Sequence, residues 1–345
     1  MKVAIIGSTG YGGVELIRIL QQHPAVSLYT NHSSSQDGSL LTEGYPHLQS
    51  IIDQPLQAID TKKIASEADL VFTATPSGIS AKLVPELLKE GLKVIDLSGD
   101  YRLKNSKDYE QWYNKEAGDE HWLHEAVYGL TEWLETDLKD AKLVANPGCY
   151  PTAALLGLAP LIKDRLIDEK TIIIDAKTGV TGAGKNPSPM THFSEMNDNL
   201  KIYKVNKHQH IPEIEQVLTS WDAAVGAITF STHLLPMTRG IMTTMYANAT
   251  EEVNIDQLHN LYKESYKDDY FVRIREKGIF PSTKEVYGSN FCDISIAYDE
   301  RTNRIMIVSV IDNLMKGASG QAVQNMNKML GMEETMGLEF VPVFP

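Results

Sequence analysis

Short apolar runs alternate with amphipathic segments over the first 145 residues of the chain. Runs rich in β-branched residues predict strands, and apolar positions that recur at i, i+3 and i+4 predict helices. The predicted strands cover residues 3–6, 26–30, 70–74, 93–97 and 143–145, and the clearest helices cover residues 14–20 and 79–89. Such alternation is typical of βαβ units, so we predict an α/β fold with a doubly wound parallel sheet. Residues 104–124 show no clean period and are expected to form a long surface excursion.

The pattern changes after Pro147. A helix is predicted over residues 152–162, a strand over 171–175, a Gly/Pro/Ser-rich loop over 178–189, β-rich runs over 227–234, 241–248 and 305–310, and a last helix over 318–329. Long β runs without helices between them indicate an antiparallel or mixed sheet in a second, α+β domain. We therefore assign residues 1–147 with 314–345 to a first domain and residues 148–313 to a second.

Composition excludes several classes of function. The chain has 345 residues, 32 Lys and Arg against 45 Asp and Glu, a net charge of −13, and two cysteines. Two cysteines cannot build a disulfide framework or a cysteine-based metal site, so no metal is expected. The negative charge argues against nucleic-acid binding. The uncharged stretches are too short for a membrane span, and the N-terminus resembles a strand rather than a signal peptide, so we expect no membrane association and a cytoplasmic protein.

A glycine-rich turn follows the first predicted strand and opens the first helix. It reads Gly7-Ser8-Thr9-Gly10-Tyr11-Gly12-Gly13. Glycines at this spacing let the backbone turn and approach a pyrophosphate, while the helix N-terminus presents N–H groups to the anion. The strand, loop and helix context predicts a Rossmann-type dinucleotide site. The second strand ends in Thr30-Asn31-His32-Ser33-Ser34-Ser35, which has no carboxylate to repel a 2′-phosphate, so we predict NADP rather than NAD.

The two cysteines lie in different settings. Cys149 stands in Asn146-Pro147-Gly148-Cys149-Tyr150-Pro151-Thr152, where a strand gives way to a helix. A helix N-terminus stabilises a thiolate, so Cys149 is a candidate nucleophile. Cys292 lies in a strand pattern and is expected to be a buried, inert thiol.

A nucleophilic thiol needs an acid/base partner, which is usually histidine. His208 and His210 directly precede Pro212 and Glu213, a pair typical of a helix N-terminus. Either histidine could serve, and the sequence leaves the choice open. Too few further ligands cluster nearby for a metal site.

Several motifs along the chain together resemble one enzyme family. They are the glycine loop, Asp96-Leu97-Ser98-Gly99-Asp100-Tyr101-Arg102-Leu103, the Cys149 segment, His208-Gln209-His210-Ile211-Pro212-Glu213-Ile214, His233-Leu234-Leu235-Pro236-Met237-Thr238-Arg239-Gly240 and Asp312-Asn313-Leu314-Met315-Lys316-Gly317-Ala318-Ser319-Gly320-Gln321-Ala322. In this order they resemble the N-acetyl-gamma-glutamyl-phosphate reductases. Gln209 departs from the family's usual Arg, which puts one contact to an anionic substrate in doubt, whereas Gly99 and Tyr101 are tolerable replacements for Ala and Phe.

The resemblance implies a second domain of glyceraldehyde-phosphate-dehydrogenase type and an NADPH-dependent reduction of an acyl phosphate to a semialdehyde. It implies that Cys149 forms a thioester and that His210, or alternatively His208, moves the proton. The resemblance also implies binding residues. For the small anionic substrate these are Arg102, Asn146, Lys185 and Arg239. For the cofactor they are Gly7, Ser8, Thr9, Gly10, Tyr11, Gly12, Gly13, Ser33, Ser34, Ser35, Thr75, Pro76, Ser77, Gly179 and Asn313.

Alternatives remain at this level. An aspartate-semialdehyde-dehydrogenase-like enzyme would keep the loop, the thiol and the chemistry, and a non-catalytic NADP-binding sensor would keep the fold alone. The sequence does not decide between an N-acetyl and a carrier-linked acyl group. The long β runs of the second domain indicate a homo-oligomer, a dimer or a tetramer.

Overall fold

The computed structural model of the chain describes residues 1–26, 28–33 and 36–344. The chain divides into two units, one of Met1–Pro147 with Ala318–Glu339, and one of Gly148–Gly317 with the residues from Phe340 onwards. Within the described ranges, no helix has the length and apolarity needed to cross a membrane.

The C-terminal boundary differs from the sequence-based division, which gave all of residues 314–345 to the first domain. The residues up to Gly317 belong to the second unit, because Gly317 packs directly on Cys149. The chain from Phe340 also belongs there, and the N–H of Val343 donates to the carbonyl of Tyr287 at 2.8 Å.

The first unit is built on a six-stranded parallel sheet. Its strands are β1 Lys2–Ile6, β2 Leu28–His32, β3 Leu70–Thr73, β4 Lys93–Asp96, β5 Val127–Tyr128 and β6 Leu143–Ala145, in the order β2-β1-β3-β4-β6-β5. The helices before the second unit are α1 Tyr11–Leu20, α2 Leu41–Gly44, α3 Thr61–Glu67, α4 Ser80–Lys89, α5 Ser106–Tyr113 and α6 Glu120–Glu125. All strand pairs are parallel, and β3 is buried along its whole length, as a sheet covered on both faces requires. The predicted doubly wound sheet is confirmed.

The expected surface excursion over residues 104–124 is wrong in one respect, because it contains α5 and α6. Asn105 caps α5 by accepting from the N–H groups of Lys107 and Asp108, and Asp119 caps α6. Only Tyr109 of α5 is buried. A helix that buries one side chain leaves no apolar period in the sequence, so the caps were its only signal.

The second unit is built on a seven-stranded mixed sheet. Its strands are β7 Ile173–Gly179, β8 Lys201–Tyr203, β9 Thr229–Leu235, β10 Ile241–Asn248, β11 Val272–Ile274, β12 Cys292–Asp299 and β13 Arg304–Ile311, in the order β11-β12-β13-β10-β7-β9-β8. Its helices are α7 Cys149–Lys163, α8 Phe193–Met196, α9 His210–Trp221 and α10 Ile255–Ser265. Side chains of β10 alternate between buried and half-buried, which indicates a sheet with one covered face.

Helix α7 and strand β7 differ in their bounds from prediction for reasons that the structure shows. Helix α7 begins at Cys149 rather than at residue 152, because Pro151 falls in the first turn, where a missing N–H costs no helical hydrogen bond. Strand β7 begins at Ile173 and runs to Gly179, since Glu169–Thr171 forms a 3-10 turn. Cys149 is therefore the first residue of α7.

A final helix, α11 Gly320–Met329, returns to the first unit. Polar side chains of α11 are buried, and Gln321 and Asn325 both donate to the carbonyl of Gly129. These bonds use the N–H groups of the two buried amides and hold the helix in the first unit.

Candidate active site

The glycine loop connects β1 to the N-terminus of α1. Gly7 has a φ of +90°, and an added Cβ there would clash with the carbonyl of Ala74, while Gly13 lies against the carbonyl of Gly7. At Gly10 and Gly12 the nearest atoms to an added Cβ are 3.6 and 3.8 Å away. No atom of the protein itself therefore requires glycine at these two positions. Glycine at Gly10 and Gly12 is instead explained by a ligand group, such as a pyrophosphate, that approaches the backbone closely. Gly10 provides no side-chain cap, so the first N–H groups of α1 suit an anion.

The segments that follow β1, β2 and β3 lie at the same edge of the sheet, because these strands are parallel neighbours. The predicted residues found on them are Ser8, Thr9, Ser33, Thr75, Pro76 and Ser77. The N–H of Gly7 donates to the carbonyl of His32 at 3.0 Å, which ties the loop to the end of β2. The Oγ of Ser8 is buried and has no hydrogen-bond partner among the described residues, as expected where a ligand completes the site. Ser34 and Ser35 lie outside the described residues.

Predicted substrate residues outside the thiol region have other contacts. The Nε of Arg102 donates to the carbonyl of Asn146 at 2.7 Å. The side chain of Asn146 donates to the carbonyl of Ala318 at 3.0 Å and accepts from Asn325 at 3.0 Å. Lys185 is exposed. Arg102 and Asn146 thus brace the first unit, and a substrate contact by any of the three stays a prediction.

Cys149 lies at the N-terminus of α7, next to a carboxylate from α9. The N–H of Gly148 donates to Oε1 of Glu213 at 2.8 Å, and the carboxylate is fully buried. His210 precedes Glu213 by three residues on α9, so both side chains lie on one face of that helix. Glu213 therefore connects two helices. It holds α9, which carries His210, against the first turn of α7, which carries Cys149.

His208 lies in an aromatic surround. Its ring is 5.4 Å from that of Tyr150, 5.7 Å from Tyr203 and 5.7 Å from Phe230, all edge-on. Its Nδ1 accepts the backbone N–H of His210 at 3.1 Å, so this nitrogen carries no proton. The ring acts as an acceptor for the start of α9.

Burial, with a smaller contribution from the positive charge of Lys204, lowers the pKa of His208 to about 3. A histidine with this pKa is neutral near pH 7. It cannot donate a second proton in a catalytic cycle near neutral pH.

Two tyrosines lie beside the thiol. The hydroxyls of Tyr150 and Tyr203 are 3.1 Å apart. Burial raises the pKa of both hydroxyls, and the charge of a Cys149 thiolate contributes to the same shift, which brings the pKa of Tyr203 to about 12. Both hydroxyls therefore stay protonated and serve as hydrogen-bonding groups.

Arg239 and Cys149 both contact the segment of residues 312–317. Its NH1 is 3.5 Å from Oδ2 of the buried Asp312, and its guanidinium lies 5.8 Å from the ring of Tyr287. The N–H of Gly317 donates to the carbonyl of Asp312, and an added Cβ on Gly317 would be 2.8 Å from that of Cys149. Residues 312–317 thus contact both Cys149 and Arg239.

Asn313 joins two loops of the second unit. Its Oδ1 accepts the N–H of Gly240 at 2.8 Å, and its Nδ2 donates to Oγ1 of Thr181 at 3.0 Å. Gly179 lies against the carbonyl of Thr238, where a Cβ would be 2.7 Å away. The cofactor contacts predicted for Asn313 and Gly179 stay predictions.

Sequence reasoning missed the roles of Glu213, Asp312 and Gly317 in this geometry. Glu213 was visible only as a first-turn acid, and Asp312 and Gly317 only as members of a family motif. The burial of Glu213 could not be predicted from the sequence, since first-turn acids are usually exposed.

Comparison with known proteins identifies the class. A family model described as "Semialdehyde dehydrogenase, NAD binding domain" matches residues 2–141, and one described as "Semialdehyde dehydrogenase, dimerisation domain" matches residues 149–313. The fold is also that of the aspartate semialdehyde dehydrogenase II of Vibrio cholerae, solved as a complex with ASA, with a TM-score of 0.71, 16% identity, and coverage of 96% of this chain and 98% of that one. The protein is an enzyme of the semialdehyde dehydrogenase class, and its first unit binds a nicotinamide cofactor.

Sequence relatives narrow the class. The N-acetyl-gamma-glutamyl-phosphate reductases of Geobacillus sp. (strain WCH70) and Bacillus cytotoxicus are 59% and 60% identical to this chain over 345 residues, with all of each chain covered. The chain belongs to the N-acetyl-gamma-glutamyl-phosphate reductase family, which confirms the resemblance found in its motifs.

Proposed function

We propose that this chain reduces N-acetyl-gamma-glutamyl phosphate to N-acetyl-glutamate 5-semialdehyde with NADPH and releases phosphate, a step of arginine biosynthesis. The names of the relatives support the substrate. One observation carries the chemistry: the hydrogen bond from Gly148 to Glu213 joins the helix of Cys149 to the helix of His210. A thiol at a helix N-terminus beside an acid/base group is the arrangement that covalent catalysis requires.

Cys149 is the nucleophile in this proposal. Its thiolate attacks the carbonyl carbon of the acyl phosphate, the carbon–oxygen bond to phosphate breaks, and phosphate leaves with the electron pair. The position of Cys149 as the first residue of α7 supports the thiolate, since the helix dipole and the free N–H groups favour negative charge. The N–H groups of the same turn can also donate to the oxyanion, an interaction worth about 3 kcal/mol in comparable sites.

When bound, the reduced nicotinamide supplies the hydride that brings the thioester to the oxidation level of an aldehyde. His210 then protonates the oxyanion, and takes the proton back as the carbonyl forms and the carbon–sulfur bond breaks. We assign this role to His210 rather than His208 because the Nδ1 of His208 accepts a backbone N–H and its pKa is about 3. His208 is a positioning residue, which holds the first turn of α9.

Arg239 is the residue of the second unit that we assign to the anionic groups of the substrate. Arginine forms bidentate hydrogen bonds with phosphates and carboxylates. Its partial pairing with Asp312 keeps the guanidinium oriented while part of its surface stays accessible. In a chain of charge −13, such cations and helix N-termini must make the site locally positive.

NADPH is the proposed form of the cofactor. The glycine loop, with room at Gly10 and Gly12 and an unsatisfied Ser8 hydroxyl, fits the pyrophosphate. The end of β2 has no carboxylate to bind a ribose 2′-hydroxyl and repel a 2′-phosphate.

A homo-oligomer formed by the second unit completes the proposal. The family model for residues 149–313 is described as a dimerisation domain. Half-buried Met242, Phe291 and Met306 pack around the buried cluster Val286, Val308 and Val310. Light scattering after size-exclusion chromatography tests this, and a monomeric mass at micromolar concentration would exclude it.

The substrate is tested in the reverse direction, with NADP⁺ and phosphate. We expect kcat/KM for oxidation of N-acetyl-glutamate 5-semialdehyde to exceed that for aspartate semialdehyde by at least about a hundredfold. The shorter aldehyde lacks the N-acetyl group, and binding-site groups that are left without their substrate partner lower kcat/KM on about this scale. A preference for the shorter aldehyde would instead identify an aspartate-semialdehyde-dehydrogenase-like enzyme. Cofactor binding without oxidation of either aldehyde would identify a sensor.

A further inference from the structure

Asp312 directly follows β13 and is fully buried in the second unit. Its Oδ1 accepts the N–H of Leu314 at 2.8 Å and that of Met315 at 3.2 Å. Its Oδ2 accepts the N–H of Gly288 at 2.7 Å and lies 3.5 Å from NH1 of Arg239. A buried carboxylate needs hydrogen bonds and a compensating charge, and these four groups supply both. The carboxylate therefore joins three separate segments of the second unit.

The contacts of Oδ1 belong to the segment that packs on Cys149. Oδ1 holds the N–H groups at the start of that segment, and the backbone carbonyl of Asp312 accepts the N–H of Gly317 at 3.0 Å. This last bond closes a π turn, an arrangement that is rare and is often found at functional sites. An added Cβ on Gly317 would be 2.8 Å from that of Cys149. Asp312 thus fixes the turn that packs on the nucleophile.

The contacts of Oδ2 concern the orientation of Arg239. At 3.5 Å, Arg239 and Asp312 form an ion pair rather than a short hydrogen bond. The guanidinium also lies 5.8 Å from the ring of Tyr287, whose neighbour Gly288 donates to the same carboxylate oxygen. Carboxylate and ring therefore restrict a side chain that is still 19% exposed. An arginine that is already oriented loses less rotamer entropy when it binds an anion.

We infer that Asp312 is a positioning residue with two separable effects on the reaction. Through Oδ2 it orients Arg239 toward an anionic group of the substrate. Through Oδ1 it holds the Gly317 turn against Cys149. Asp312 acts through these two residues and not on the reacting atoms. This inference rests on the roles proposed above for Arg239 and Cys149.

The variant Asp312→Asn separates the two effects. An amide keeps one oxygen that can accept from Leu314 and Met315, and its NH2 group can neither accept from Gly288 nor attract Arg239. The assay is the oxidation of N-acetyl-glutamate 5-semialdehyde with NADP⁺ and phosphate. We expect the KM for the anion that Arg239 binds to rise about tenfold or more, with kcat within about threefold of the wild type. Asp312→Ala also loses the Oδ1 bonds, so it should lower kcat about tenfold as well.

A double-mutant cycle distinguishes positioning from a general loss of structure. Arg239→Ala first identifies the anion, since it should raise the KM for phosphate if Arg239 binds the phosphate, and the KM for the aldehyde if it binds the carboxylate. In the Arg239→Ala background, Asp312→Asn should change that KM by less than about twofold, because the residue through which Asp312 acts is gone. A general loss of structure would raise the KM in both backgrounds.

Two further variants complete the test. Asp222→Asn is the matched control, since Oδ2 of Asp222 is 3.2 Å from Nε of Arg165 and its Oδ1 accepts the N–H of Ala224 at 3.0 Å. Asp222 lies at the end of α9 opposite His210, so kcat and both KM values should stay at wild-type levels. Asp312→Ser, whose short hydroxyl can accept the N–H two residues on, repeats the test if Asp312→Asn does not fold.

The outcomes distinguish this inference from the function on which it rests. An unchanged KM in Asp312→Asn, or a rise of equal size in both backgrounds, would overturn the inference while the roles of Arg239 and Cys149 stand. A KM that falls would overturn it too, since the carboxylate would then only weaken the positive charge of Arg239. A wild-type kcat in Asp312→Ala would overturn the effect on the Gly317 turn. Unchanged KM values in Arg239→Ala would overturn the role of Arg239 itself.

Discussion

Loss of the Glu213 carboxylate should impair catalysis more than it impairs folding. Glu213 accepts the N–H of Gly148 at 2.8 Å and lies on the face of α9 that holds His210. Replacing a charged acceptor by a neutral one, as in Glu213→Gln, costs about 1 kcal/mol, which is about fivefold in rate. Glu213→Ala leaves a buried N–H unsatisfied, at about 1–3 kcal/mol, and should lower kcat by about 5- to 150-fold.

The assay is the initial rate of N-acetyl-glutamate 5-semialdehyde oxidation with NADP⁺ and phosphate, with kcat and KM determined separately. We expect kcat to fall and the KM for NADP⁺ to stay within about twofold, because the bond orients the reacting groups and not the cofactor.

Glu215→Ala is the matched control. Glu215 lies on the same helix, and its Oε1 accepts the N–H of Ile228 at 3.0 Å, so the variant loses a bond of the same kind away from Cys149. Glu213→Ala should lower the melting temperature more than Glu215→Ala, because Glu213 is fully buried and Glu215 is half-buried, and only Glu213→Ala should lower kcat. Equal kcat in the two variants would refute the role of Glu213 in aligning the site.

Three further predictions follow from the same geometry. Cys149→Ser should abolish turnover and retain NADPH binding by fluorescence titration; measurable turnover would exclude the nucleophile. Gly317→Ala, which places a Cβ 2.8 Å from that of Cys149, should lower kcat more than tenfold, since overpacking displaces the thiol, and an unaltered kcat would contradict the packing. His208 has a pKa lowered from 6.5 to about 3 on folding, so below pH 6.5 the unfolded state binds the extra proton and stability falls as pH drops toward 3, by up to about 1.4 kcal/mol per pH unit. In denaturant melts, the free energy of unfolding should fall less steeply with falling pH for His208→Asn, whose side-chain oxygen can still accept the N–H at the start of α9. This variant should keep kcat within about tenfold of the wild type, whereas His210→Asn should lose about a hundredfold or more.

Local features of the site could be predicted from the sequence. The strand, glycine loop and helix at the N-terminus are adjacent in the chain, so their geometry follows from glycine spacing and periodicity. Cys149 was placed near a helix N-terminus for the same reason, although Pro151 made the helix look three residues shorter than it is.

Contacts between distant segments could not be predicted. The bond from Gly148 to Glu213 spans 65 residues, and the aromatic surround of His208 comes from α7, β8 and β9. Which histidine can titrate depends on that surround, so the sequence left His208 and His210 equivalent.

The central claim is that the reaction passes through a thioester on Cys149. Mass spectrometry tests it directly on protein incubated with N-acetyl-glutamate 5-semialdehyde and NADP⁺ without phosphate, because the acyl group then has no phosphate acceptor to release it. The account predicts one acyl adduct on the peptide of Cys149, none on the buried Cys292, and a burst of about one NADPH per chain. Absence of the adduct despite turnover when phosphate is added, or an adduct on Cys292, would contradict it.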